Sequence, residues 1–426
     1  MDIFSRLTFA LLAWCLIFGE AAVGQECGAP YPESASCGQS CTAEGTCFNP
    51  KCKKFSNIQV RNLCGPTTCG NKNWLDVNYQ LFFTDGFNVP SLLTSSPAGT
   101  PRADVANVFD DVFGNSRIGE DTLSGLNVGF GHWLDDCGNR AITADFFAFN
   151  DGRSNNVFPT DPSAIVSRPF FNSDPSVNAL DAELVNFPGV VDGTIAFNTE
   201  TSIYSGSVGL LQKLCCCGDP CQSRSRRTDL FLGYRVFSFD EVLEIEENLS
   251  PIGGFIAAGT GIDVLDRFET DNIFHGFEIG LDTTWQRQRW TLGLGGRVAL
   301  GNVRQTVRID GTTTTTVPGA TPFVQPFGIL ASSSNIGEYQ RDEFGVLSTA
   351  NIELGYQVAN RLRLKLGYTF IHLNSVVRPG SQIDFNVNGT QFDPLVPNSG
   401  PEEPAVTFAD DSMILHGLNA GFEFTF

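Results

Sequence analysis

The sequence predicts an all-β protein, an antiparallel transmembrane β-barrel of about ten strands, with twelve as the alternative count and a small Cys-rich segment ahead of it. Three observations carry this. Segment after segment alternates apolar and small or ionic residues with a period of two, the signature of a strand with two unlike faces. The composition, with 44 Gly, 36 Phe, 2 Met and 17% charged residues in 426, suits strands and turns better than long helices. The links between the alternating segments are long and short by turns, as in barrels of the outer membrane.

At the start of the chain, Arg6 precedes an apolar run from Leu7 to Phe18 and a small-residue site at Ala22-Val23-Gly24. This reads as a secretory signal over residues 1–24, because Glu20 cuts the run short of the roughly 20 residues a spanning helix needs. Residues 25–72 follow as a Cys-rich segment and 73–426 as the barrel.

The expected strands lie at 73–84, 122–134, 140–150, 202–214, 226–247, 273–287, 289–311, 342–358, 360–375 and 412–426. In the first, Leu75, Val77, Tyr79 and Leu81 oppose Asp76, Asn78 and Gln80; in the next, Leu126, Val128 and Phe130 oppose Asn127, Gly129 and Gly131. Phe277, Ile279, Leu281 and Trp285 oppose Glu278, Gly280 and Asp282, and the segment from Trp290 to Leu300 sets its apolar residues against Thr291, Gly293, Gly295 and Arg297. Ile352, Leu354 and Tyr356 oppose Asn351, Glu353 and Gly355. Leu362, Leu364, Leu366 and Tyr368 oppose Arg361, Arg363, Lys365 and Gly367. The last strand sets Ile414, His416, Leu418, Phe422, Phe424 and Phe426 against Met413, Leu415, Gly417, Asn419, Gly421 and Glu423.

Two arginines and a lysine on one strand face cannot meet a dry core, so the apolar face is expected on hydrocarbon and the ionic face inside. A β-sandwich would alternate too, but with a less ionic second face. Each segment reaches the roughly 9–11 residues of a tilted membrane strand. Near Asp240, FSFDEVLEIEE breaks the parity, so a bulge or an extra hairpin is expected there, and with a hairpin the count becomes twelve.

GYRVFSFDE (233–241), DRFETDNIFHGFEIGL (266–281), SNIGEYQRDEF (334–344) and LGYTFIHLNSVVRPGSQID (366–384) resemble the beta-barrel porin family of planctomycetes. The resemblance runs from Trp74 to Phe426, and Val376 to Gly380 with Asp271-Asn272 are its more specific pieces. It implies an outer-membrane barrel. The terminal Phe426 is similar to the aromatic ending by which barrels are recognised for assembly, so outer-membrane lipid and the barrel-assembly machinery are the implied partners.

On this topology both termini are periplasmic. Nearly all of the formal net charge of −20 falls in the long links 85–121, 151–201, 248–272, 312–341 and 376–411, which makes nucleic acid an unfavourable partner. Of thirteen cysteines, Cys15 lies in the signal. Cys27, Cys37, Cys41, Cys47, Cys52, Cys64 and Cys69 precede the first strand, Cys137 sits in one short link, and Cys215, Cys216, Cys217 and Cys221 in another. All face the oxidising side and are disulfide candidates, which makes the segment 25–72 a stapled cap or a tie to a periplasmic envelope partner. The Cys37/Cys41 and Cys217/Cys221 spacings are the rival metal reading, though no His lies near. No cofactor is expected.

Asp76, Arg235, Glu278, Asp282, Arg297, Glu353, Arg361, Arg363, Lys365 and Glu423 are the expected pore-lining residues. Their charges are of both signs, so a diffusion channel for small solutes or ions and a plugged, non-conducting envelope barrel both remain open. His132, His275, His372 and His416 fall on the lipid-facing parity, which leaves a hydrolase as a third reading and none of them assigned a catalytic role.

Overall fold

The computed structural model describes residue 63 and residues 72–135, 138–159, 161, 163–219, 224–252, 257–391 and 399–426. Seventeen strands lie among them: β1 (Asn73–Thr84), β2 (Phe87–Ser96), β3 (Asp110–Ile118), β4 (Thr122–Trp133), β5 (Arg140–Phe149), β6 (Gly152–Pro159), β7 (Ile165–Asn172), β8 (Ala179–Asn186), β9 (Val191–Asp219), β10 (Arg224–Pro251), β11 (Gly261–Arg287), β12 (Trp290–Thr316), β13 (Phe323–Gln325), β14 (Gly337–Ala359), β15 (Leu362–Val376), β16 (Asn386–Val387) and β17 (Asp411–Thr425).

Ten of them form an antiparallel ring in the order β1-β4-β5-β9-β10-β11-β12-β14-β15-β17, and β17 returns to β1 with Tyr79 opposite Ala420. Closure pairs every ring strand on both sides, the condition for backbone to cross a bilayer without unpaired polar groups. All ten are the strands expected from the sequence.

One face of the ring is apolar and exposed on every strand: Tyr79, Leu126, Phe146, Val208, Tyr234, Phe277, Leu292, Ile352, Leu366 and Leu418 all point outward into it. Aromatic residues bound this belt. At the end with short turns, the Trp290 and Tyr356 rings lie 4.7 Å apart and Arg226 stands 5.6 Å over Trp285. At the other edge, Tyr234 and Tyr368 each share a 2.8 Å hydrogen bond with a histidine two residues off the cross-strand partner, His275 and His416. Along β11 the belt runs from Trp285 to Ile273, which at about 3.3 Å per residue and a tilt of about 40° spans roughly 30 Å.

Beyond that belt the strands continue, and here the structure corrects the sequence reading. The link expected at 248–272 is mostly strand, because β10 runs to Pro251 and β11 begins at Gly261. No bulge or extra hairpin interrupts β10 near Asp240: its register with β11 is unbroken from Arg224 to Leu249, and its single shift against β9 falls between Thr228 and Asp229. What changes is the sense of the alternation. Above the belt the outward residues of β10 and β11 become Asp240, Glu244, Asp271, Glu269 and Arg267, while the inward ones become Phe239, Leu243, Ile245 and Phe268, each fully buried. Water outside and packing inside reverse the hydrophobic face without moving the backbone.

The inner face of these extended strands is covered by a second sheet made from the long links. Its order is β16-β7-β2-β3, with β8 added on β7. Phe87, Leu92, Leu93, Val185 and Val387 from this sheet and its surroundings pack against Ile195, Phe197, Leu243, Ile245, Phe268, Val307 and Ile309 of the ring strands, a sandwich core outside the belt. β6 extends the wall beside β9, and β13 beside β12.

Candidate functional site

The barrel interior is the candidate site, and it is filled in tiers. Nearest the short turns, Trp74 and Trp133 meet with ring centroids 4.9 Å apart, and the Arg227 guanidinium lies 4.6 Å over Trp133 while gripping Asp229 through Nε and Nη2. Gly131 makes room for this lid, since a Cβ there would overlap the Trp74 ring.

The next tier is ionic. Lys365 Nζ donates to Asp76 and lies 2.6 Å from Glu353 Oε2, and Arg363 pairs with Glu423. Arg297 binds Asp282 at 3.0 Å and stacks over Phe231, and Arg235 binds Glu278 at 2.9 Å and donates to Ser205 Oγ. Nine of the ten residues expected to line the interior therefore stand on the inner face, paired with one another. Arg361 is the exception: it lies exposed in the turn between β14 and β15, its carbonyl accepting the Thr425 N–H. The strand begins at Leu362, two residues later than the expected start at 360, so Arg361 belongs to the turn and not to the inner face.

Above the ions lies a layer that the strand alternation does not predict. Phe82, Leu123, Phe147, Phe149, Ile203, Phe237, Phe239, Phe274, Ala299, Val303, Leu347, Ile371, Leu373, Val376, Met413 and Leu415 form one buried cluster. All ten ring strands contribute, so the cluster fills the cross-section of the barrel. Its sequence signal was present in Met413 and Leu415, large apolar residues on the otherwise small or polar face of the last strand.

A strap following β15 closes the upper side of this layer. Val376 belongs to the apolar layer and Val377 to the sandwich core above it. Asn272 holds the strap by its backbone, accepting the Val377 N–H at 2.8 Å and donating to the Val377 carbonyl at 2.8 Å. Fully buried Arg378 then forks onto Glu241, through Nε at 2.9 Å and Nη2 at 2.7 Å, and reaches Asp85 at 2.9 Å. The two segments that carried the family resemblance most specifically, Asp271-Asn272 and Val376 to Gly380, thus meet here. A second buried knot sits higher, where Arg168 bridges Glu247 and Asp266 beside Glu183.

Three histidines have neutral partners: besides the two tyrosine pairs, His132 Nδ1 lies 2.8 Å from Asn73 Oδ1. Of the cysteines, β9 carries Cys215 and Cys216 within a strand rather than a turn, a further correction, since the strand continues to Asp219. Cys215 holds a free thiol and Cys216 is disulfide-bonded. Cys217 is placed only by its backbone, and Cys27, Cys37, Cys41, Cys47, Cys52, Cys64, Cys69, Cys137 and Cys221 lie outside the described residues. Phe426 directly follows the last strand, its N–H and carbonyl both bonded to Asn73 at 3.0 Å.

A protein family described as "Putative beta barrel porin-7" matches residues 74–426. No curated protein matches the chain. Among solved structures, the chain is similar to the outer membrane protease OmpT from Escherichia coli, at 9% identity over 84% of this chain and 97% of that one with a TM-score of 0.37. It is also similar to a Pseudomonas aeruginosa FadL homologue, at 8% identity, 84% and 91% coverage and a TM-score of 0.21, and to the P. putida toluene transporter TodX, at 8%, 83%, 89% and 0.18. Likenesses this distant carry no functional argument.

Proposed function

Because the chain belongs to that porin family and forms an outer-membrane β-barrel, we propose that it is a barrel closed to ion flow, which anchors a folded β-sandwich head at the outer surface. The observation that carries this is the apolar layer to which all ten strands contribute. An ion crossing it would leave water with no polar partner, a cost of several kcal/mol or more. The ionic tier beneath it is paired rather than open, so it neither attracts nor passes one sign of charge. In this reading the short turns and both termini face the periplasm, the acidic long links face outward, and the Cys-rich segment ties the barrel to the envelope beneath. The protein acts on no substrate. Purified barrel reconstituted in planar lipid bilayers is expected to give no steady unit current; stable conductance steps that scale with salt would overturn the reading and restore passive diffusion.

A further inference from the structure

At the short-turn edge of the belt, the outward side chains of four neighbouring strands fall into register. Arg224 of β10 stands directly opposite Arg287 of β11, Arg287 opposite Trp290 of β12, and Trp290 opposite Tyr356 of β14. Directly opposed residues share a face, so this row sets two cations beside two rings whose centroids are 4.7 Å apart. One step further into the belt, Arg226 opposes Trp285 with its guanidinium 5.6 Å over that ring, and Leu292 and Leu354 complete the row. Arg289 adds a cation in the two-residue turn between β11 and β12.

Like charges directly opposite one another are unfavourable unless an anion answers them. Neither residues 283–309 nor residues 354–383 include an Asp or Glu, in a chain whose net charge is −20. Asp219 of β9 lies beyond Arg224, but Arg287 and Arg289 meet no carboxylate among the described residues. At the other edge of the belt the outward arginines are already neutralised, Arg267 by Glu244 and Glu269, Arg308 by Glu269 and Glu338. The segment ahead of β1 does not match the patch in charge either, since residues 25–72 hold three glutamates against four lysines and one arginine. What meets this edge is lipid, because Arg287 is exposed, Trp290 is 51% exposed, and the row above them is already leucine. A small free anion would use the arginines alone. A phospholipid would use every level, with its phosphate on the cations, its glycerol beside the indoles and its acyl chains on the leucines.

We infer that this patch binds an anionic phospholipid of the phosphatidylglycerol type, taken from the leaflet on the short-turn side. The inference is independent of whether the barrel conducts. Native mass spectrometry tests it on the delipidated full chain in detergent, offered phosphatidylglycerol and phosphatidylethanolamine of equal chain length. Phosphatidylglycerol should be retained in preference. Arg287→Gln with Arg289→Gln should lower its affinity about fivefold for each arginine lost and leave phosphatidylethanolamine nearly unchanged, with heat-dependent gel mobility showing that the barrel is still folded. Arg153→Gln with Arg304→Gln removes the same charge from exposed positions at the other end and should leave the preference intact. Equal retention of the two lipids overturns the site, as does an equal loss in both double variants. Displacement of the lipid by soluble glycerol phosphate also overturns it, by showing that a free phosphate satisfies the arginines.

Discussion

At the scale of the residue, the molecule spends charge where water is absent. Arg378 is fully buried, yet its guanidinium meets two carboxylates and the faces of Phe87 and Phe239 at 5.7 and 5.3 Å. A buried pair is a weak source of net stability, but breaking one side strands a desolvated charge. Arg378→Ala should therefore destabilise the head by about 3–5 kcal/mol, whereas Arg378→Met combined with Glu241→Leu should recover most of the loss; urea unfolding in micelles checks both. Glu183 poses the opposite problem. Burial pushes its carboxyl well above the ordinary range, and Glu247 pushes the same way; Arg168 opposes and Asp266 adds to the rise. The folded head thus binds a proton that the unfolded chain gives up at about pH 4.3, so its stability is full below that value and falls as pH rises through the elevated folded value. Glu183→Gln should flatten this fall and raise the midpoint of head unfolding at pH 8. No spacing in the sequence announced either knot, because Arg168, Glu183, Glu247 and Asp266 come from four strands that only the folded sheet brings together.

At the scale of the element, strands could be read wherever their two faces met two unlike solvents. Leu366 beside Lys365 or Ile279 beside Glu278 leaves one assignment open, with the apolar residue toward lipid. Above the belt the rule inverts, and Phe237, Phe239 and Leu243 took on the look of a broken strand although the backbone never changes course. The second sheet was illegible for a related reason: β2, β3, β7 and β8 are short, covered on one side by the wall, and carry no regular alternation, as in FNVPSLLTSS. The position of the inversion is itself testable. Ile279 lies near the middle of the belt and is 46% exposed, so Ile279→Arg should cost about 2–4 kcal/mol of folding into lipid. Asp263→Arg, on the same outward face but above the inversion, should change stability by no more than about 0.5 kcal/mol. Folding yields into vesicles, read by heat-dependent gel mobility, compare the two.

At the scale of the whole molecule, two tiers compete as the seal, the paired ions near the turns and the apolar layer above them. They differ in what their removal does. Side chains such as Lys365, Asp76 and Glu353 remain polar when rearranged, and an ionic tier can hold water between its members; truncating it leaves the apolar layer intact. The aromatic layer excludes water by filling space, and a gap in it large enough for a chain of waters lets ions follow. Phe147, Phe237 and Phe274 stand on β5, β10 and β11 and are each nearly or fully buried. Replacing all three by Ala should turn a silent barrel into one with measurable leak current in planar bilayers. Lys365→Met with Glu353→Leu should leave it silent. The triple change also costs stability, about 3–5 kcal/mol for each Phe→Ala in a packed core, so retained heat-dependent mobility is the control that distinguishes an opened barrel from an unfolded one. Leak from the ionic variant but not from the aromatic one would move the seal to the lower tier.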